Sequence, residues 1–261
     1  MAIVLKTPEE IEIMRQAGCI VAVAHEEMRK AVRPGISTYE LDKIAETVIR
    51  DHNATPAFLN YPKSGAPNFP ATITASINHE LVHGIPSKER ILEDGDIISL
   101  DVGCHFNGFV GDAARTWAVG EITPPVQRLL DVTENSLELA IEASVVGNRV
   151  SDVALAVQRY VEKQGYSLAR EYTGHGVGRK MHEEPQIPNW WPRGRNARNA
   201  SNPPLKVGMT YAIEPMVIMG RQETKELGDK WTVVTKDGSL CAHIEHTIAI
   251  TDGAPIILTT L

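Results

Sequence analysis

Asp101 and Asp112 lie on either side of a turn in IISLDVGCHFNGFVGD, residues 97–112. Asn107-Gly108 suits a two-residue hairpin turn, in which both positions need positive φ. With that turn Phe106 faces Phe109 and Gly103 faces Asp112. Asp101 is two residues from Gly103, so it shares the face of Asp112 at the diagonal where side chains still meet. Such a pair is either solvated on a wet face, or, if partly dry, forced to take up a proton or a cation.

A second acidic pair follows from an internal repeat. LEDGDIISLD at 92–101 and LKVGMTYAIE at 205–214 align Leu, Gly, an apolar pair and an acid, with offset 214 − 101 = 113. The expected helix caps agree, since 123 − 7 = 116 and 151 − 37 = 114. The near-constant shift suggests a duplication into two helix-helix-sheet halves about a pseudo-twofold axis. Opposite Asp101 and Asp112 the second half then offers Glu214 and, beyond a hairpin turned at Lys236-Asp237-Gly238, Glu245. Four carboxylates meeting on the axis require divalent metal, and suit two ions better than one. In YTGHGVGRKMH, Gly174, Gly176 and Gly178 let the backbone approach closely and leave the His175 imidazole at a bend, as a fifth ligand requires.

The elements that position these groups are legible from caps and breaks. Thr7-Pro8-Glu9-Glu10 is an N-cap, a first-turn proline and dipole-compatible acids. A long helix follows with Ile11, Met14, Ala17, Cys19, Val21 and Met28 on its apolar face, up to Arg33-Pro34-Gly35. Ser37 caps a second helix through Leu41, Ile44, Ala45 and Val48, ending near His52-Asn53. Residues 56–72 are Pro/Gly/Asn-rich loop, and ITASINHELVHGIP reads as a strand region carrying His79 and His83. In the second half the pattern predicts helices from Val126 to about Ser144 and, capped by Ser151, from Val153 to about Gln164.

Composition excludes several function classes. A chain of 261 residues that is 43% apolar supports a sizeable core, read here as one domain over 1–261 with halves of about 1–120 and 121–261. A formal net charge of −7 argues against a nucleic-acid surface. Cys19, Cys104 and Cys241 form no CxxC pair and fit a reducing compartment. No apolar run reaches the length of a membrane span, and MAIVLKTPEE lacks a leader's long apolar core. The expectation is a soluble cytoplasmic chain.

YTGHGVGRKMHEEPQIPNW, with Tyr172, Gly174, His175, Gly176, His182, Asn189 and Trp190, resembles the signature of the type 1 methionine aminopeptidases. Asp101, Asp112, His175, Glu214 and Glu245 match that family's five-ligand dinuclear site, and the likeness runs from the first helix to Ile250. It implies the pita-bread α/β (α+β) fold, in accord with the duplication. It also implies that Asp112 and Glu245 bridge two ions, Asp101 completes one, and His175 with Glu214 completes the other. Oxygen-rich ligation with one imidazole and no thiolate suits Mn²⁺, Fe²⁺ or Co²⁺ better than Zn²⁺. In the family's chemistry a metal-activated water attacks the scissile carbonyl, Glu214 is the general base, and His83 and His182 bond the peptide nitrogen and the oxyanion. Tyr61, His83, Met181 and Trp231 are the candidate walls of a methionine pocket. The implied substrates are nascent polypeptide N-termini whose second residue is small, acted on by a monomer. The chain's own Met1-Ala2 start fits that rule.

The sequence departs from the pattern in places. GAPNFPA intervenes between Tyr61-Pro62-Lys63-Ser64 and the ITASIN strand, and Met181 stands where an aromatic is common. The basic insert RGRNARNASN at 193–202 reads as a solvated loop, with a transient ribosome contact as the alternative. The long insertion of the type 2 enzymes is absent between Glu214 and Glu245. Two rival functions share the pattern: a non-catalytic binding domain, against which the intact ligands argue, and a proline-directed peptidase. Relatives of the latter kind carry an additional N-terminal domain, whereas here the first helix begins at residue 8.

Overall fold

A computed structural model of the chain describes residues 2–261, so Met1, on which the reading of the chain's own start as a substrate rests, lies outside the described residues. Helix α1 (Pro8–Ala31) starts with a complete capping box: the Thr7 hydroxyl accepts from the Glu10 N–H, and the Glu10 carboxylate accepts from the Thr7 N–H. Helix α2 (Thr38–Asp51) is capped the same way by Ser37 and Glu40. After β1 (Thr55–Pro56) the chain runs as loop to β2 (Ile73–Ile77), β3 (Glu80–Val82) and the long hairpin β4 (Ile97–Phe106) and β5 (Phe109–Ala118). The hairpin register is the one its turn dictates. Gly103 lies opposite Asp112 and Phe106 opposite Phe109, with Asn107 and Gly108 both at positive φ (48° and 81°).

The second half begins with α3 (Pro124–Glu142) and α4 (Val150–Lys163), followed by β6 (Ser167–Leu168), β7 (Gly174–Gly176), β8 (Glu183–Ile187) and the short α5 (Arg195–Asn199). It closes with β9 (Thr210–Ile213), β10 (Met216–Ile218), β11 (Thr224–Glu226), β12 (Val233–Thr235), β13 (Cys241–His243), β14 (His246–Ala249) and β15 (Ile256–Ile257). The first sheet runs β1-β4-β2 with β5 on β4, and the second runs β15-β14-β9-β7-β8. Two three-stranded sheets, β13-β10-β6 and β11-β12-β3, complete the strands. Each helix pair covers its own sheet. Ala17, Val21 and Leu41 pack against Ile73, Leu100 and Val102; Leu129, Val153 and Val157 pack against Tyr211, Ile213 and Ile248. No helix among the described residues is long and apolar enough to cross a membrane.

The repeat therefore has a structural counterpart, with four corrections. Ser151 lies inside α4, whose N-cap is Arg149; the Asp152 carboxylate accepts from the Arg149 N–H, and the Ser151 N–H goes to the Asn202 side chain. The offset of the real caps, 149 − 37 = 112, still lies within one residue of that of the strands. The turn at Lys236-Asp237-Gly238 does not make a hairpin, because β12 pairs with β11 and β3 while β13 pairs with β10. Ile20 and Ala24 are buried on α1, whereas Ile11 and Cys19 are only half-buried. The insert 193–202 contains one exposed helical turn, α5.

The halves are stitched at their ribbons. The Glu245 N–H donates to Ala114 O at 2.9 Å, the Thr247 hydroxyl to Asp112 O at 2.7 Å, and the Thr116 hydroxyl to His243 O at 2.6 Å. Helix α1 crosses β5 at very close range: a Cβ on Gly111 would sit 2.5 Å from the Ala17 carbonyl carbon and 2.7 Å from Gly18 N. Backbone on both sides cannot step aside, so Gly111→Ala is expected to lower stability by about 1–3 kcal/mol. A thermal midpoint equal to that of the unsubstituted protein would contradict this packing.

Candidate metal centre

Strand ends bring the acids together. Asp101 and Asp112 come from the β4–β5 ribbon, and Glu214 and Glu245 lie at the ends of β9 and β14, whose last pair is Ile213 with His246. His175 is the middle residue of β7, next to β9 in the same sheet. Its Nε2 lies 3.7 Å from Asp112 Oδ2 and 3.7 Å from Glu214 Oε1. One ligand atom each from Asp112, His175 and Glu245 falls within 4.8 Å of the others. The His175 Nδ1 faces Gly176 O at 3.1 Å. That carbonyl keeps the proton on Nδ1 and turns the Nε2 lone pair toward the acids.

Asp101 Oδ1, Asp112 Oδ1 and Glu245 Oε1 are buried without a hydrogen-bond partner. Burial pushes Asp112 up to about 7. Burial, and then the neighbouring acids, push Asp101, Glu214 and Glu245 well above the carboxylate range. Burial holds His175 neutral, with its pKa lowered to about 3. Neutral imidazole nitrogen and orphaned carboxylate oxygens facing one space are the donor set that a divalent cation satisfies. The residues fit a metal.

All ten residues singled out in the sequence line a single cavity of about 390 Å³: Asp101, Asp112, His175, Glu214 and Glu245, with His83, His182, Tyr61, Met181 and Trp231. His83 holds positive φ (61°) just after β3, and desolvation lowers its pKa to about 4. His182 is likewise shifted down by loss of hydration, and its Nδ1 lies 2.6 Å from the Tyr61 hydroxyl. Phe69 meets Trp231 edge-on at 5.1 Å, and Trp231 Nε1–H donates to Pro67 O at 2.8 Å. The GAPNFPA segment is thus built into the apolar wall.

Several lining residues had not been anticipated. His243 Nε2 lies 3.8 Å from Glu214 Oε2 and 4.0 Å from Glu245 Oε2 and is otherwise unpartnered. Its spacing from Glu245, two residues in CAHIE, places both on one face of an extended segment and was the available signal. Thr74 is the cross-strand partner of Asp101. Phe58 and Phe69 carry no local motif that announces a cavity, whereas Tyr172 belongs to the recognised signature. Asn189, within the recognised signature, donates from Nδ2 to Glu214 O at 2.9 Å and fixes that residue's main chain.

The burial of Asp112 has a pH signature. Its pKa is raised in the folded, metal-free protein, so the native state binds more protons than the unfolded chain from about pH 4 to about 7. The carboxyl therefore costs little stability below about pH 4, and its cost grows as pH rises and is complete above about 7. Asp112→Asn should stabilise the chelated protein at pH 8 by on the order of a few kcal/mol, and the gain should vanish near pH 4. The buried histidines titrate with opposite sign, but they are common to both proteins and drop out of the difference. Equal melting of the two chelated proteins at pH 8 would contradict this account.

The family model for metallopeptidase family M24 matches residues 12–252. Methionine aminopeptidase 1 of Bacillus subtilis is 50% identical over 257 residues, covering 98% of this chain and 99% of that one. A crystal structure of methionine aminopeptidase from Thermotoga maritima superposes with a TM-score of 0.93 at 42% identity, covering 100% of both chains. A Bacillus anthracis Xaa-Pro dipeptidase shares the fold at 24% identity and a TM-score of 0.77, with 62% of its length covered. Full-length identity of this order, joined to the acid–histidine cluster, shows that the chain belongs to metallopeptidase family M24 and, within it, to the methionine aminopeptidases.

Proposed function

We propose that the enzyme removes the N-terminal methionine from nascent cytoplasmic polypeptides whose second residue is small, with both halves of the chain forming one catalytic unit. The observation that carries this reading is the opening of the orphaned Asp101, Asp112 and Glu245 oxygens into the same cavity as an aromatic and thioether wall. Asp101, Asp112, His175, Glu214 and Glu245 would hold two divalent ions, with cobalt, manganese and iron as the candidates. Bound there, the ions would supply Lewis acidity and a water of lowered pKa.

The remaining work falls to this chain's own groups. Met181, Trp231, Phe69 and Tyr61 form an apolar lining that suits a flexible thioether side chain. A carboxylate oxygen of Glu214 accepts the proton of the attacking water and passes it to the leaving nitrogen. With the Tyr61 hydroxyl donating to His182 Nδ1, the neutral ring carries its proton on Nε2, where it can donate to the scissile carbonyl oxygen. His83, also neutral, is placed to bond the peptide nitrogen. Working as a monomer on emerging chains, the enzyme would use the exposed Arg193, Arg195 and Arg198 for any transient ribosome contact.

Methionine release from Met-Ala-Ser is expected with added metal and should disappear on chelation. Retention of full activity after complete removal of metal would overturn the reading. Preferential cleavage of X-Pro peptides would favour the proline-directed rival instead. Glu214→Ala should abolish turnover and weaken metal binding measured by calorimetry. His182→Ala should lower kcat by roughly 10²–10³ with metal binding retained. Loss of metal from the His182 variant would contradict a donor role.

A further inference from the structure

A second cavity, of about 690 Å³, adjoins the first. Glu171 and Thr173 line both, so the two spaces share a rim at the segment leading into β7 and His175. Its other walls include Glu184 and Gln186 of β8, the edge strand of the five-stranded sheet, Trp190, and Ser201 at the end of the insert. The volume lies in the range of real ligand sites.

The walls are held in place before any ligand arrives. Trp190 Nε1–H donates to Arg170 O at 3.2 Å, and the Arg170 guanidinium lies 4.8 Å over its ring. The Trp191 N–H donates to Gln158 Oε1 at 3.0 Å. On the insert side, Asn202 accepts from the Ser151 N–H at 2.9 Å, and Arg149 donates to its carbonyl, pinning the far wall to the start of α4. A hydrogen-bonding rim beside an aromatic face suits an extended peptide, whose main chain needs partners and whose side chains need surface. Preformed walls reduce the ordering cost of binding it.

We propose that this second cavity is a subsite for the substrate polypeptide beyond its second residue, taken as an extended strand leaving the metal centre past Thr173. The assignment rests on the aminopeptidase reading above. It gives the basic insert a local role, as the far wall of that subsite.

The test compares kcat/KM for Met-Ala-Ser and for the octapeptide Met-Ala-Ser-Lys-Leu-Tyr-Gly-Ser, using the metal-loaded full-length enzyme, Trp190→Ala and Ser201→Trp. The unsubstituted enzyme should favour the octapeptide roughly fivefold or more, and both variants should lose that preference while Met-Ala-Ser turnover stays within about twofold. The Ser201 variant fills the cavity from an exposed position, so it reports even if the Trp190 variant folds poorly. A benzoylphenylalanine at position five of the octapeptide should photo-crosslink within residues 184–201. Equal kcat/KM for the two peptides, or crosslinks confined to Pro62 and Lys63 on the wall of the first cavity, would overturn the subsite alone. Failure to cleave even Met-Ala-Ser would overturn the underlying reading with it.

Discussion

Repulsion among Asp101, Asp112, Glu214 and Glu245 is the constraint that the rest of the structure answers. One buried oxygen each of Asp101, Asp112 and Glu245 has no protein partner, and burying like charges without compensation costs several kcal/mol per ion. The half-buried Arg115 guanidinium at the seam relieves it only in part, through its attraction to Glu245. Arg115 donates to Ala114 O and Glu245 O and contacts the His246 ring, so its hydrogen bonds go to the ribbons rather than to the carboxylates. The fold thus uses this cation chiefly to hold the ribbons that carry the acids, and leaves most of their repulsion for a metal to answer. This is a stability cost carried at a functional site, which the two helix-backed cores support.

The same desolvation that raises the acids lowers the imidazoles, and the two shifts are complementary. His83, His175 and His243 are held neutral by the cavity, so each can offer a lone pair or a single N–H without adding positive charge that would compete with metal. Position then separates their uses. His175 faces the acids with Nδ1 turned to Gly176 O, and His182 is turned by Tyr61. The aromatic wall of Trp231 and Phe69 closes the apolar side, tied down by the Pro67 carbonyl.

Local chemistry was a good guide wherever one interaction decided the outcome. Asn107-Gly108 set the β4–β5 register through its positive φ, and with it the shared face of Asp101 and Asp112. Thr7 and Ser37 close capping boxes because their Glu partners lie three residues on, within reach. Ser151 misled for the converse reason: Arg149-Val150-Ser151-Asp152 offers competing caps, and Asn202, distant in sequence, takes the Ser151 N–H. At Lys236-Asp237-Gly238 the turn formed as composition indicated, but its flanking strands went to different sheets, because partner choice depends on surfaces outside the segment.

By itself the sequence determined the starts of the first two helices, the turn-coded hairpin and the repeated halves, and it singled out five acid–histidine candidates that the fold brings to one cavity. These follow from bonds and periodicities spanning a few residues, or from an offset that survives in the chain. Only the tertiary structure decided that His243 stands between Glu214 and Glu245, that GAPNFPA walls the pocket, and that a second cavity shares its rim. Those facts depend on which strand lies beside which and on how far the packed halves exclude water, and neither is encoded by neighbours in the chain.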